Sequence, residues 1–126
     1  MAKKRILLID DEEDIREVAQ LSLEIVGGWQ VITGISGSEA VAKAEAEQPD
    51  AILLDVMMPE IDGFSTLKQL RANQATQQIP VIFLTAKVCS EDRHQFLQLG
   101  INGVITKPFD PMSLATEVET ILGWVP

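Results

Sequence analysis

Two adjacent carboxylates, Asp10 and Asp11, close the apolar run Ile6-Leu7-Leu8-Ile9, and a third, Asp55, closes Ala51-Ile52-Leu53-Leu54. Thr85 follows the run at 80–84, and Lys107 follows the run at 103–106. Taken singly, each has an ordinary use: an aspartate caps a helix, a threonine closes a turn, and a lysine is a solvated charge. As a set they have a chemical sense. A helix needs one cap, so tandem acids with Glu12, Glu13 and Asp14 behind them exceed what capping requires. Asp55 lies between apolar segments, where an unpaired carboxylate would cost several kcal/mol in lost hydration, and Lys107 together with a metal would compensate it. Three carboxylates meeting at one rim repel each other and call for a cation. Oxygen ligands select a hard ion, and Mg²⁺ is commonly held by one or two carboxylates, waters and a phosphate. A carboxylate can also be a nucleophile that forms an aspartyl phosphate, with Mg²⁺, an ammonium and a hydroxyl sharing the phosphoryl charge.

The elements that would bring these residues together follow from the hydropathy pattern. Strand-length apolar runs at 6–9, 29–33, 51–54, 80–84 and 103–106 alternate with helix-period segments. The first helix is expected over 14–26, with Ile15, Val18, Ala19, Ser22 and Ile25/Val26 on one face and Gly27-Gly28 as its stop. Ser36 and Glu39 have the spacing of a capping box, opening an Ala-rich helix that stops before Pro49. Asp62 can cap a helix carrying Phe64, Leu67 and Leu70; Ser90 can cap a fourth that ends at Gly100. Asp110-Pro111 reads as cap and first residue of a fifth helix, which Gly123 ends. Five strands and five helices in strict alternation, with strands apolar throughout, predict a doubly wound α/β domain whose parallel sheet is covered on both faces. Ligands of such sheets bind beyond the carboxyl ends of the strands, where the polar residues fall.

Composition narrows the function. The 126 residues fit one domain, 1–126, and carry 10 Lys and Arg against 19 Asp and Glu, a net charge of −9, which disfavours direct binding to nucleic acid or anionic membrane. One cysteine, Cys89, and one histidine, His94, exclude an internal disulfide and a Cys/His zinc site; an inert thiol and a surface imidazole are expected. No apolar run is long enough to span a bilayer and no signal peptide is evident, so a soluble, cytoplasmic protein is expected. The first strand-to-helix turn lacks G-x-G-x-x-G, and no Walker-type Gly-Lys-Ser/Thr occurs, which argues against a nucleotide or flavin carrier.

Four segments carry a resemblance over essentially the whole chain: Leu8-Ile9-Asp10-Asp11-Glu12, Leu54-Asp55-Val56-Met57-Met58-Pro59-Glu60-Ile61-Asp62-Gly63, Leu84-Thr85-Ala86 and Thr106-Lys107-Pro108-Phe109. In combination the sequence resembles the receiver domain of two-component response regulators, of the chemotaxis type. The resemblance implies a flavodoxin-like strand order 2-1-3-4-5 and a cis peptide at Lys107-Pro108. It implies Asp55 as acceptor of a phosphoryl group from a histidine kinase or phosphotransfer protein. Mg²⁺ would be held directly by Asp11, mostly through water by Asp10, and also by Asp55 and the backbone carbonyl of Met57. Thr85 and Lys107 would contact the phosphoryl group. Such a protein is a signalling switch that catalyses only its own phosphorylation and dephosphorylation, changes its affinity for an output protein, and is a monomer or a weak phosphorylation-dependent dimer. The chain ends soon after the fifth helix, which suggests a stand-alone receiver or a piece of a longer regulator.

A haloacid-dehalogenase-type phosphatase also uses an aspartate nucleophile and Mg²⁺, but requires an acid at the position held by Met57 and a substrate cap. A pseudo-receiver acting only as a binding module is the other alternative. It is opposed by the full set Asp10, Asp11, Asp55, Thr85 and Lys107. In the family an aromatic residue usually stands three positions before the lysine; here it is Val104. A valine cannot swing between solvent and a cavity. That leaves Thr85 and the loop after it, another output surface, or weak switching as the alternatives. Met57 and Lys87 occupy positions that tune the lifetime of the acyl phosphate in the family. An apolar Met57 is expected to hinder the attacking water, so Met57→Asn should hasten dephosphorylation; an unchanged decay of the phosphorylated protein would refute this.

Overall fold

The computed structural model describes residues 3–56, 63–86, 98 and 100–124. Strands β1 (Arg5–Ile9), β2 (Gln30–Gly34), β3 (Ala51–Asp55), β4 (Val81–Thr85) and β5 (Gly103–Thr106) form one sheet in the order β2-β1-β3-β4-β5, all neighbours parallel. The described helices are four: α1 (Glu13–Ile25), α2 (Gly37–Glu47), α3 (Gly63–Ala72) and α4 (Leu114–Leu122). Of the helix expected between β4 and β5, Gln98 is described and helical, and the rest lies outside the described residues.

Side-chain alternation along each strand splits the core into two layers. Leu7, Ile9, Ile52, Leu54, Val81 and Phe83 pack with Ala40, Ala44, Leu67 and Leu70 of α2 and α3. Ile6, Leu8, Ala51, Leu53, Ile82, Leu84 and Ile105 pack with Ala19, Leu23, Leu114, Ala115 and Val118 of α1 and α4. Both faces are therefore covered, which is why the strands read as continuous apolar runs rather than alternating ones. No helix among the described residues is long and apolar enough to cross a membrane.

Local signals set most boundaries. Ser36 Oγ accepts the N–H of Glu39 at 3.2 Å, as the capping-box spacing predicts. Gly123 ends α4 in the left-handed conformation at φ 71°. Two details go beyond or depart from the sequence pattern. The buried side of α1 is Ala19, Ser22 and Leu23, whereas Val18, Ile25 and Val26 are exposed. Its apolar stripe is wider than the face the sheet covers, and the periodicity cannot say which flank is left out. The last helix begins at Leu114, three residues after Pro111, because Asp110 heads a separate turn. Its Oδ1 accepts the N–H of Met112 at 2.9 Å and its Oδ2 the hydroxyl of Ser113 at 3.2 Å. The backbone carbonyl of Pro111 in that turn accepts a hydrogen bond from Ser22 Oγ, tying it to α1.

Gly63 sets how closely α3 approaches the sheet. Its N–H donates to Val56 O at 2.9 Å, and a Cβ at residue 63 would stand 2.8 Å from Val56 Cα and 3.1 Å from Asp55 O. Both neighbours are backbone and cannot turn aside, so α3 starts against the end of β3 because residue 63 has no side chain. Gly63→Ala is expected to destabilise the protein by about 1–3 kcal/mol, the usual cost of overpacking, and to displace the Asp55 segment. Thermal unfolding measures the first effect and the rate of phosphoryl uptake the second; a variant matching wild type in both would contradict the packing argument.

Candidate phosphoryl and metal site

The carboxyl ends of β1, β3, β4 and β5 converge. Asp55 is the last residue of β3 and Thr85 the last of β4, while Asp10 and Lys107 each stand one residue beyond β1 and β5. Asp10, Asp55 and Lys107 share the alternation parity of Leu8, Leu53 and Ile105, so all three face the α1 and α4 side of the sheet. The backbone continues the ladder past the strands: Asp10 N–H donates to Gly34 O at 3.2 Å, Val56 N–H to Leu84 O at 3.1 Å, and Lys107 N–H to Thr85 O at 2.7 Å. The Lys107-Pro108 peptide is cis. Main-chain pairing thus places the lysine beside the threonine before any side chain is considered.

Asp10 is 0 % and Asp55 2 % exposed, while Asp11 is open to solvent. One oxygen from each of the three lies within 4.8 Å of the others. The Lys107 ammonium, with its side chain 10 % exposed, sits 2.8 Å from Asp10 Oδ2, 3.3 Å from Glu12 Oε1 and 3.5 Å from Asp55 Oδ2. Asp10 Oδ1 accepts the N–H of Glu12 at 2.9 Å, leaving Oδ2 to the lysine. Among the described residues, three clustered carboxylates and Glu12 therefore face one ammonium. That excess of negative oxygen, two of its carriers buried, fits a hard divalent cation held by Asp10, Asp11 and Asp55.

The site residues expected from sequence are brought together except where description stops. Asp10, Asp11, Asp55 and Lys107 form one cluster, and Thr85 stands buried on the adjoining strand. The Met57 carbonyl lies outside the described residues, as do Lys87, Cys89, His94 and the Asp62 cap. Sequence reasoning missed two contributors. Arg16 Nη1 donates to Asp10 O at 2.9 Å, and Glu12 reaches Lys107. Glu12 was visible as one of five consecutive acids, but nothing in that run distinguishes its direction; Arg16 left no signal.

The chain belongs to the response regulator receiver domain family, whose match covers residues 6–119. It is similar to the alkaline phosphatase synthesis transcriptional regulatory protein PhoP of Bacillus subtilis, at 45% identity over 119 residues, 94% of this chain and 48% of that protein. The chain thus spans about half the length of the curated relatives it matches. Among solved structures it is similar to the chemotaxis response regulator CheY4 of Vibrio cholerae, with TM-score 0.88 and 30% identity, covering 95% of this chain and 99% of that one. The receiver domain of the sensor histidine kinase PA1611 from Pseudomonas aeruginosa, with a magnesium ion in its active-site cleft, matches with TM-score 0.84 and 34% identity over 97% of this chain and 99% of that one. Receiver domains are phospho-acceptor switches of two-component systems rather than classical enzymes. Phosphoryl acceptance on an aspartate with Mg²⁺ is general for the family.

Electrostatics set the state of Lys107. Burial pulls its pKa down, but the hydrogen bond and charge of Asp10, the charge of Asp55 and the hydrogen bond to Glu12 outweigh burial, so it lies above the ordinary lysine value of 10.5. A raised pKa gives stability that is complete below the unfolded value and is lost as pH rises through the folded one. Lys107→Met is expected to lower stability by about 1–3 kcal/mol, less than a fully buried pair because the rim is open. Thermal unfolding should show that margin constant between about pH 6 and pH 9 and closing only above about pH 10.5; a margin that closes near neutral pH would mean the ammonium is not held by these carboxylates.

Proposed function

We propose that Asp55 is the phospho-acceptor of a receiver switch, with Asp10, Asp11, Asp55 itself and the Met57 carbonyl holding Mg²⁺ and with Thr85 and Lys107 receiving the phosphoryl oxygens. The observation that carries this reading is the placement of one ammonium and three carboxylate oxygens at the carboxyl edge of the sheet, with Asp55 buried among them. An Asp55 oxygen attacks the phosphorus of a phosphohistidine on a kinase or phosphotransfer protein. An O–P bond forms as the P–N bond breaks, and the electron pair leaves on the donor imidazole, which is reprotonated from solvent. Lys107 and the Thr85 hydroxyl balance the charge on the phosphoryl oxygens. Mg²⁺, when bound, supplies further positive charge to the same oxygens.

The protein acts on itself, catalysing its own phosphorylation and dephosphorylation, and its output is altered affinity for a partner protein. Nucleic acid is not a direct ligand of this domain in this reading, and the receiver works in the cytoplasm, monomeric or weakly dimeric when phosphorylated. A chemotaxis-type role is supported by likeness of shape to CheY4, whereas the higher sequence identity to PhoP supports a receiver of the transcriptional kind.

Intact-mass spectrometry after incubation with acetyl phosphate tests the assignment. One phosphoryl adduct is expected, dependent on Mg²⁺ and absent in Asp55→Asn. Thr85→Ala and Lys107→Met should slow its formation by about 10²–10³-fold, the cost of losing one donor to developing negative charge. An adduct that persists in Asp55→Asn would move the acceptor elsewhere, and no adduct in wild type would favour a binding module without phosphoryl chemistry.

A further inference from the structure

Glu12 stands at the N-cap of α1, yet its carboxylate makes no cap hydrogen bond. Short polar side chains usually hold that position because they satisfy the helix's own free N–H groups. Glu12 instead spans to Lys107, 95 residues away in sequence, accepting from Nζ at 3.3 Å. The turn that aims it is pinned on both sides. Glu12 N–H donates to Asp10 Oδ1 at 2.9 Å, Arg16 N–H donates to Glu12 O at 2.9 Å, and Arg16 Nη1 donates to Asp10 O at 2.9 Å. With its side chain 58 % exposed, the Glu12 carboxylate adds little to stability. Its effect is on where the ammonium sits. Lys107 Nζ is 2.8 Å from Asp10 and 3.3 Å from Glu12, but 3.5 Å from Asp55, the group it must serve.

We propose that Glu12 is a positioning residue that draws the Lys107 ammonium toward the rim in the unphosphorylated protein, so that Lys107 must exchange Glu12 for a phosphoryl oxygen during transfer. This rests on the reading of Asp55 as the phospho-acceptor. An ammonium has three N–H donors, and Asp10, Glu12 and Asp55 all compete for them before a phosphoryl group arrives. Removing the outermost competitor frees one donor for the incoming oxygen. The exchange would also release the link between the start of α1 and the segment after β5, since Glu12 joins them through Lys107.

The test uses the full chain as wild type, Glu12→Gln and Glu12→Asp, alone and combined with Lys107→Met. Aspartate keeps the charge but stops one methylene short of the lysine, which separates reach from bulk charge. With acetyl phosphate at saturating Mg²⁺, both single variants should form the Asp55 adduct about two- to fivefold faster, the range expected for an exposed ion pair. Glu12→Gln should have no effect in the Lys107→Met background. Without donor or Mg²⁺, the ¹⁵N-ammonium NMR signal of Lys107 should shift in both single variants. The proposal is overturned if the variant rates equal or fall below wild type, if only Glu12→Gln is faster, if its effect persists without Lys107, or if the ammonium signal does not move. No adduct in wild type would instead overturn the acceptor reading, and this proposal with it.

Discussion

Among the described residues, one ammonium facing a crowd of carboxylates is the constraint on which this edge of the sheet depends. Asp10 and Asp55 are buried at the sheet edge, where charged oxygens without compensation would be costly. Lys107 is 2.8 Å from the first and 3.5 Å from the second, so it tempers their repulsion without neutralising it. The remaining negative charge suits the cluster to a hard divalent cation, of the kind the receiver family binds in its active site. A site fully neutralised by protein cations would be more stable and less able to bind either.

The fold serves that constraint by main-chain means. Parallel strands end together at one edge, and each end delivers a side chain there. The bond from Lys107 N–H to Thr85 O extends the sheet one residue past β5, and the bond from Val56 N–H to Leu84 O does the same past β3. Gly63 lets α3 begin in contact with that extension. Meanwhile the two apolar layers below the edge hold the strands rigid, with Phe83 packed edge-on against Phe64 at 5.6 Å on one side and Trp29 against Trp124 at 5.2 Å on the other. The polar cluster can therefore carry internal repulsion because the stability of the domain resides elsewhere.

Receiver domains couple a chemical event at such an edge to a change in binding, and a departure in this chain bears on that coupling. Val104 packs against the α2 and α3 layer beside the fourth strand. A short, branched apolar side chain stands in the position usually held by an aromatic ring, which directs attention to groups that touch the site itself. Thr85 is one such group. The contact between Glu12 and Lys107 is another, because it joins the first helix to the segment after β5.

Much of this was legible in the sequence. Uninterrupted apolar runs meant strands covered on both faces, their alternation with helix-period segments meant a parallel sheet, and polar residues at four strand ends marked the functional edge. Those features survive in one dimension because hydrophobic burial and turn chemistry act over a few neighbouring residues. What tertiary structure alone decided depends on segments far apart in the chain. The α1 stripe contained more apolar residues than the sheet could cover, so docking left Val18, Ile25 and Val26 outside. Asp110 formed its own turn and delayed the last helix to Leu114. The order of distances from Lys107 to Asp10, Glu12 and Asp55 was likewise set by how β1 and β5 flank β3 and β4, since no local pattern records which of several neighbouring acids will meet a lysine some 95 residues away.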